Sequence, residues 1–291
     1  MPAPSPTTST VPTEALPEQA TRPAVLAAWL AQVEAAMEAR PGDAALARRR
    51  ADLLRALGRL EAAAAAYDAL ADRGLAALLR GEATAPAVVA GPARYLRIEN
   101  ALDPDRYRDL WALVSADQPL SPAQVGQAEK ARRNTGMRDA AVIDDDASLR
   151  PWFLARVQDL VERECVTRRL GVADFAVGRG ELQVTRHLDG GFFRAHRDIG
   201  ATGGPAAARR LTYVYYFHRT PRRFTGGDLL LCDQDPEGRR AAQLGFTRLE
   251  PMDNSLVFFA SDRLHAVTPV VMASDDPLDG RWTVNGWLHT A

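Results

Sequence analysis

The spacing of apolar and polar positions divides the chain into a helical first part and a strand-rich second part. From Pro23 to about Gly81 the residues are mostly Ala, Leu, Arg and Glu, strong helix formers. The pattern predicts three helices over about 24–39, 43–56 and 60–72, separated by Pro41-Gly42 and Gly58. At about residue 91 the texture changes. Residues 93–98 read as a strand, and Asp103-Pro104 opens a helix to about Ser115 with Asp103 as its cap. Residues 117–140 are polar and irregular, and 148–169 read as an amphipathic helix. Short aromatic and β-branched runs then follow at 181–188, 209–218, 228–232, 246–250, 255–260, 264–271 and 281–290. Many short strands with no helices between them predict a sandwich or barrel such as a jelly roll. Helices first and strands afterwards give an α+β class, with the helices buttressing the sheets.

Composition narrows the function classes. The chain has 291 residues, 46% hydrophobic and 25% charged, with 36 basic against 37 acidic side chains. A net charge of −1 argues against a general binder of nucleic acid or anionic membrane, since both need clustered positive charge. No apolar run approaches the roughly 18 residues of a membrane span. Residues 1–22, rich in Pro, Ser, Thr and Ala, are expected to be a disordered leader. They lack the basic and apolar regions of a secretory signal. Two cysteines are too few for a disulfide scaffold, and a reducing, cytoplasmic location fits. Lys130 is the single lysine, so an anion anchor must be sought among arginines.

The candidate chemistry lies among the histidines. His196-Arg197-Asp198 sets an imidazole and a carboxylate two residues apart, and in a strand such positions share a face. His265 lies downstream in another predicted strand. Two His and one carboxylate make the facial triad of non-haem Fe(II) oxygenases, which leaves positions open for a co-substrate and O₂. A His-x-Asp alone is a common chance occurrence. Its surroundings are more specific: Gln183 to Phe193 before it, Arg209-Arg210-Leu211-Thr212-Tyr213-Val214-Tyr215-Tyr216-Phe217 after it, then Gly226-Gly227-Asp228-Leu229, Ser255-Leu256-Val257-Phe258-Phe259, His265 with Pro269-Val270, and Arg281-Trp282-Thr283-Val284-Asn285-Gly286-Trp287. This ordered series resembles the prolyl 4-hydroxylase-like branch of Fe(II)/2-oxoglutarate-dependent dioxygenases over roughly residues 92–291. Upstream, Leu57-Gly58-Arg59, Ala63 and Tyr67 resemble the spacing of a tetratricopeptide (TPR) repeat, with Pro41 where a preceding repeat would end. Leu70 departs from that pattern. These helices, residues 23–81, are expected to dock on the main domain.

The resemblance implies a double-stranded β-helix (jelly roll) with Fe(II) held by His196, Asp198 and His265, and 2-oxoglutarate and O₂ as co-substrates. Ascorbate is a candidate reductant. The far carboxylate of 2-oxoglutarate then needs a cation on the last core strand, which makes Arg281 the candidate; a guanidinium fork also matches a carboxylate. Alternation puts Arg281, Thr283, Asn285 and Trp287 on one face, and Thr212, Val214 and Tyr216 on another. Thr283 and Tyr216 are candidate co-substrate residues, whereas Tyr213 and Tyr215 point away and pack. The family usually has Tyr nine residues before the first ligand; His187 stands there and keeps a donor at a co-substrate position. Residues 273–280 read as an enlarged hairpin loop, and His218 and His289, at strand ends, are expected to be exposed. Residues 118–138, with Arg132, Arg133 and Arg138, are a candidate lid; Arg133 and Trp287 are candidate substrate-binding residues.

The implied reaction hydroxylates an unactivated C–H bond while 2-oxoglutarate and O₂ become succinate and CO₂. The substrate expected is an amino-acid side chain, prolyl or another residue, in a peptide or protein. A free amino acid or natural-product intermediate is the alternative. A non-catalytic interaction module with a vestigial jelly roll, and a cupin-like metalloenzyme that uses no 2-oxoglutarate, are the rivals. Intact His196, Asp198 and His265 oppose the first, and a cation at Arg281 opposes the second.

Overall fold

The computed structural model describes residues 21–82, 91–116, 119–124, 134–144, 147–173, 175–200, 204–233 and 245–291. The leader, apart from Thr21 and Arg22, and Arg132 and Arg133 of the candidate lid lie outside the described residues.

Four helices open the described chain: α1 (Pro23–Ala39), α2 (Ala44–Ala56), α3 (Leu60–Ala69) and α4 (Arg73–Leu79). The third ends earlier than its apolar pattern predicts. Ala71 adopts a left-handed backbone (φ 60°), and the Asp72 side chain accepts the N–H of Leu75, capping a fourth helix. The four helices do not stand apart. Leu26, Leu30, Leu53 and Tyr67 share a core with Leu230, Phe246 and Leu249 of the strand region. Buried Arg55 binds Asp233 through two hydrogen bonds of 2.7 and 2.6 Å. Buried Arg248 donates to the carbonyl of Ala56 at the end of α2 (2.9 Å), to Asp228 (2.5 Å) and to the carbonyl of Thr21.

The strands form two antiparallel sheets. The larger, eight-stranded sheet runs β1 (Tyr95–Glu99), β12 (Ser255–Ala260), β8 (Arg209–Phe217), β15 (Arg281–Thr290), β6 (Gln183–His187), β4 (Ala141–Asp144), β2 (Ser121–Pro122), with β5 (Val177–Gly180) also on β15. The smaller, five-stranded sheet runs β11 (Phe246–Leu249), β10 (Leu229–Cys232), β13 (His265–Val267), β7 (Phe192–His196), β3 (Arg138–Asp139). A two-stranded ribbon joins β14 (Val270–Met272) to β9 (Phe224–Gly226). Together they make a jelly roll. The outer face of the larger sheet is covered by α5 (Pro104–Ser115), α6 (Arg150–Arg163) and α7 (Val166–Leu170), with Phe153, Val157 and Leu160 packed among Tyr213, Tyr215 and Phe217. Asp103 caps α5 as expected, accepting from Asp105 and Arg106.

Several expectations change. The helix over 148–169 is two helices, broken where Cys165 takes a left-handed backbone (φ 50°). The run 264–271 is two strands, because Pro269 has no N–H to donate to a ladder. His218 and His289 are buried. His218 packs against Phe224, and its ring Nδ1 donates to the Arg219 carbonyl at 2.9 Å. His289 bonds Glu181 through Nε2. Arg138, placed in the lid, is also buried, in β3.

Candidate active site

The strand register assembles the site. In the smaller sheet His265 of β13 pairs directly with His196 of β7, bringing the imidazole centroids to 4.2 Å. Each ring is fixed by the carbonyl two residues before it: His196 Nδ1 to Arg194 at 2.8 Å, His265 Nδ1 to Arg263 at 2.9 Å. A carbonyl only accepts, so each Nδ1 carries the proton and each Nε2 keeps a free lone pair. Those Nε2 atoms lie 3.5 Å (His196) and 3.4 Å (His265) from the two carboxylate oxygens of Asp198. One ligand atom from each of the three residues falls within 4.8 Å of the others, a cluster able to hold a metal ion.

Asp198 does not belong to a strand. β7 stops at His196, and the peptide N–H groups of Asp198 and Ile199 both donate to the Ser261 carbonyl at 3.0 Å. The Thr212 hydroxyl donates to Asp198 Oδ2 at 2.8 Å and lies 3.0 Å from the Ser261 hydroxyl. Burial would raise the Asp198 pKa, but His265 and His196 outweigh it and hold the carboxyl well below the usual range. Burial, then the neighbouring His196, pushes His265 down to about 4, so its lone pair is available at neutral pH. The Phe193 ring stacks on His196 at 3.5 Å, and Phe259 meets His265 edge-on at 4.8 Å.

The larger sheet supplies the other wall. Across β15, Arg281 pairs with His187, Thr283 with Thr185 and Tyr216, Asn285 with Val214, and Trp287 with Thr212. Arg281, Thr283, Asn285, Trp287, Thr185, His187, Thr212, Val214 and Tyr216 therefore line the same pocket as the three ligand candidates. Arg281 is 2% exposed. Its Nε donates to the Gly227 carbonyl (2.6 Å), Nη1 donates to His187 Nδ1 (3.3 Å), and its guanidinium lies 5.1 Å from the Tyr216 ring centroid. Among the described residues no carboxylate lies within ion-pair distance of it. Burial lowers its pKa.

Because Arg281 donates to His187 Nδ1, the other nitrogen carries the proton. That Nε2–H and the Tyr216 hydroxyl are buried without a protein partner among the described residues. Burial, then the charges of Arg281 and Arg138, holds the His187 pKa well below its ordinary 6.5. A buried cation and two unpartnered donors around one pocket are costly unless an anion completes them. A carboxylate does so. The residues present thus fit both groups that the resemblance implies, a metal ion on the two imidazoles and the aspartate, and a dicarboxylic co-substrate reaching Arg281.

Comparison with known proteins identifies the strand-rich part of the chain. Residues 182–289 match the family model of the 2OG-Fe(II) oxygenase superfamily. These residues are a 2OG-Fe(II) oxygenase domain. The whole chain is 30% identical over 201 residues to an uncharacterised PKHD-type hydroxylase of Synechocystis sp., a match covering 68% of this chain and 64% of that protein. It thus spans less than two thirds of that relative's length. Among solved structures, a Pseudomonas putida prolyl-4-hydroxylase is 21% identical (TM-score 0.47, 68% of this chain and 92% of that one). A Trichoplax adhaerens prolyl hydroxylase solved with a hypoxia inducible factor peptide fragment is 16% identical (TM-score 0.49, 67% and 83%).

Every described site residue singled out from the oxygenase domain's sequence lines this pocket. Sequence reasoning missed the residues that hold the ligands in place. Thr212 was legible as a pocket-facing position but not as a donor to Asp198. Ser261 carries no motif, and Phe193 closes the 183–193 segment without any sign there that it stacks on His196, since these contacts arise from a turn and from strand packing. Arg138, expected in the lid, lies in β3 against the pocket wall. It donates to Gln183 at 3.0 Å and Thr185 at 3.3 Å, and lies over the Phe193 ring at 4.9 Å.

Proposed function

We propose that the protein is an Fe(II)- and 2-oxoglutarate-dependent hydroxylase acting on an amino-acid side chain in a peptide or protein, with prolyl the first candidate. The observation that carries this reading is a pocket that combines a His-Asp-His cluster with a buried arginine that has no carboxylate partner among the described residues. His196, Asp198 and His265 hold the metal ion, and their arrangement on one side leaves its remaining positions to the pocket. Arg281 binds the far carboxylate of 2-oxoglutarate, with the Tyr216 hydroxyl and His187 Nε2–H as further donors. Thr283 lines the same wall; its hydroxyl donates to Asn285 across a long 3.4 Å contact. Bound Fe(II) supplies the activation of O₂ that lets an unactivated C–H bond be oxidised. The protein fixes geometry and excludes water with Phe193, Phe259 and Leu229. The PKHD-type relative, a hydroxylase by its name, supports this reaction class. Trp287, half-buried in the pocket lining, contacts substrate.

The test is anaerobic addition of Fe(II) and 2-oxoglutarate. The weak visible metal-to-ligand charge-transfer band should form with the wild-type protein and vanish in His265→Ala. No band in the wild type, or its persistence in the variant, refutes the assignment. Screening peptides and free amino acids for a product heavier by one oxygen atom separates the peptidyl reading from its free-amino-acid alternative.

A further inference from the structure

The geometry points to Arg209 as a positioning residue that holds the aspartate arm of the metal site against the larger sheet. This rests on the reading of His196, Asp198 and His265 as metal ligands. Asp198 follows the last residues of β7, so that strand's ladder does not fix its peptide. Ser261 holds the N–H side. The carbonyl side is held by Arg209, whose Nη1 donates to the Asp198 carbonyl at 3.1 Å. The same guanidinium grips Glu181 with both edges of its fork, Nε at 3.1 Å and Nη2 at 2.6 Å. It also lies over the Trp287 indole, its central carbon 3.6 Å from the ring centroid.

Glu181 is itself immobilised. His289 Nε2 binds its carboxylate. Its backbone N–H donates to Trp287 at 2.8 Å, and its carbonyl accepts from the Tyr213 hydroxyl at 2.6 Å. Arg209 therefore bridges a ligand outside the strand ladder, on the smaller-sheet side, to a rigid corner of the larger sheet. The Arg209 and Glu181 side chains are only 17% and 19% exposed, so solvent screens the pair weakly. The arrangement demands a planar fork. A lysine ammonium cannot grip both carboxylate oxygens, reach the carbonyl and stack on the indole at once. Truncating Arg209 leaves Thr212 and Ser261 in place but lets the carbonyl side of Asp198 swing, which misplaces the carboxylate relative to the two Nε2 atoms.

The experiment titrates the full-length, metal-free protein with Co(II) alone and reads its visible d–d absorption. His265→Ala serves as the ligand-loss control. Phe153→Leu, in the core on the outer face of the same sheet, controls for general destabilisation. Arg209→Lys and Arg209→Met should bind Co(II) roughly 10- to 100-fold more weakly, the range for partners that orient ligands, and with an altered band. Glu181→Gln should shift affinity the same way by less, and it serves alone if the Arg209 variants fail to fold. Phe153→Leu should lower the thermal midpoint without changing Co(II) affinity. Wild-type affinity and band shape in Arg209→Lys or, if that variant does not fold, in Glu181→Gln would overturn the inference. If the wild-type protein binds no Co(II), or His265→Ala binds it equally well, the metal-site reading fails and this inference with it.

Discussion

At the scale of single residues, the site is organised by unmet hydrogen-bonding capacity. Among the described residues, His187 and Tyr216 keep buried donors without a partner, beside a buried Arg281 that no carboxylate approaches within ion-pair distance. Removing the guanidinium should be selective. Arg281→Met is expected to weaken 2-oxoglutarate binding roughly 10- to 100-fold, the worth of a hydrogen bond to a charged group, and to leave Co(II) affinity unchanged. Titration of 2-oxoglutarate into Co(II)-loaded protein measures both. His187 makes a second prediction. Its pKa is depressed in the folded protein by burial and by the adjacent arginines, so the unfolded chain takes up a proton that the folded one refuses. The folded state therefore loses stability as pH falls below about 6.5, the unfolded value. His187→Gln should flatten the fall in unfolding free energy between pH 6.5 and 5, measured by urea denaturation. An unchanged slope would mean that His187 is not held neutral.

Single elements place these groups by register and by turns. The pairing of β15 with β6 and β8 sets Arg281 beside His187 and Thr283 beside Tyr216, and a one-residue slip would turn all of them outward. The Gly226-Gly227 turn before β10 makes room for the anchor. Gly227 has φ +66°, and a Cβ there would lie 2.5 Å from Arg281 Cδ. Gly227→Ala is thus strained in its backbone and collides with the side chain it borders. It should lose 2-oxoglutarate binding about as far as Arg281→Met does, and lower the thermal midpoint as well. A variant that binds 2-oxoglutarate normally would show that the anchor does not need this turn. The enlarged 273–280 loop is tied to the segment after β8: Arg219 bonds Asp276 and Asp279 at 2.7 Å each, just before β15 begins.

For the whole molecule, the four N-terminal helices are part of the oxygenase core. They contribute Leu26, Leu53 and Tyr67 to one buried cluster with the smaller sheet, and Arg55 joins that sheet through Asp233. Breaking a buried pair from one side strands a charge. Arg55→Met should therefore lower stability by about 3 kcal/mol, and Arg55→Met with Asp233→Leu should regain much of it. Urea denaturation followed by both tryptophan fluorescence and far-UV circular dichroism should give one coincident transition for each protein. A separate early transition for the helices would contradict a shared core. Among the described residues, no helix is long and apolar enough to cross a membrane.

The sequence by itself determined what local chemistry dictates. Asp103 caps its helix, the strand runs are read from period-two alternation, and the faces of β8 and β15 carry Thr212, Val214 and Tyr216 against Arg281, Thr283, Asn285 and Trp287. Residue identity and a two-residue period suffice for these, because a side chain's direction along a strand follows from its own backbone. Tertiary structure decided what depends on partners distant in the chain. It buried His218 and His289, and replaced the expected strand support of Asp198 with Ser261, Thr212 and Arg209. No local pattern carries such information, since the energy of a hydrogen bond or a buried contact depends on which group lies across the gap.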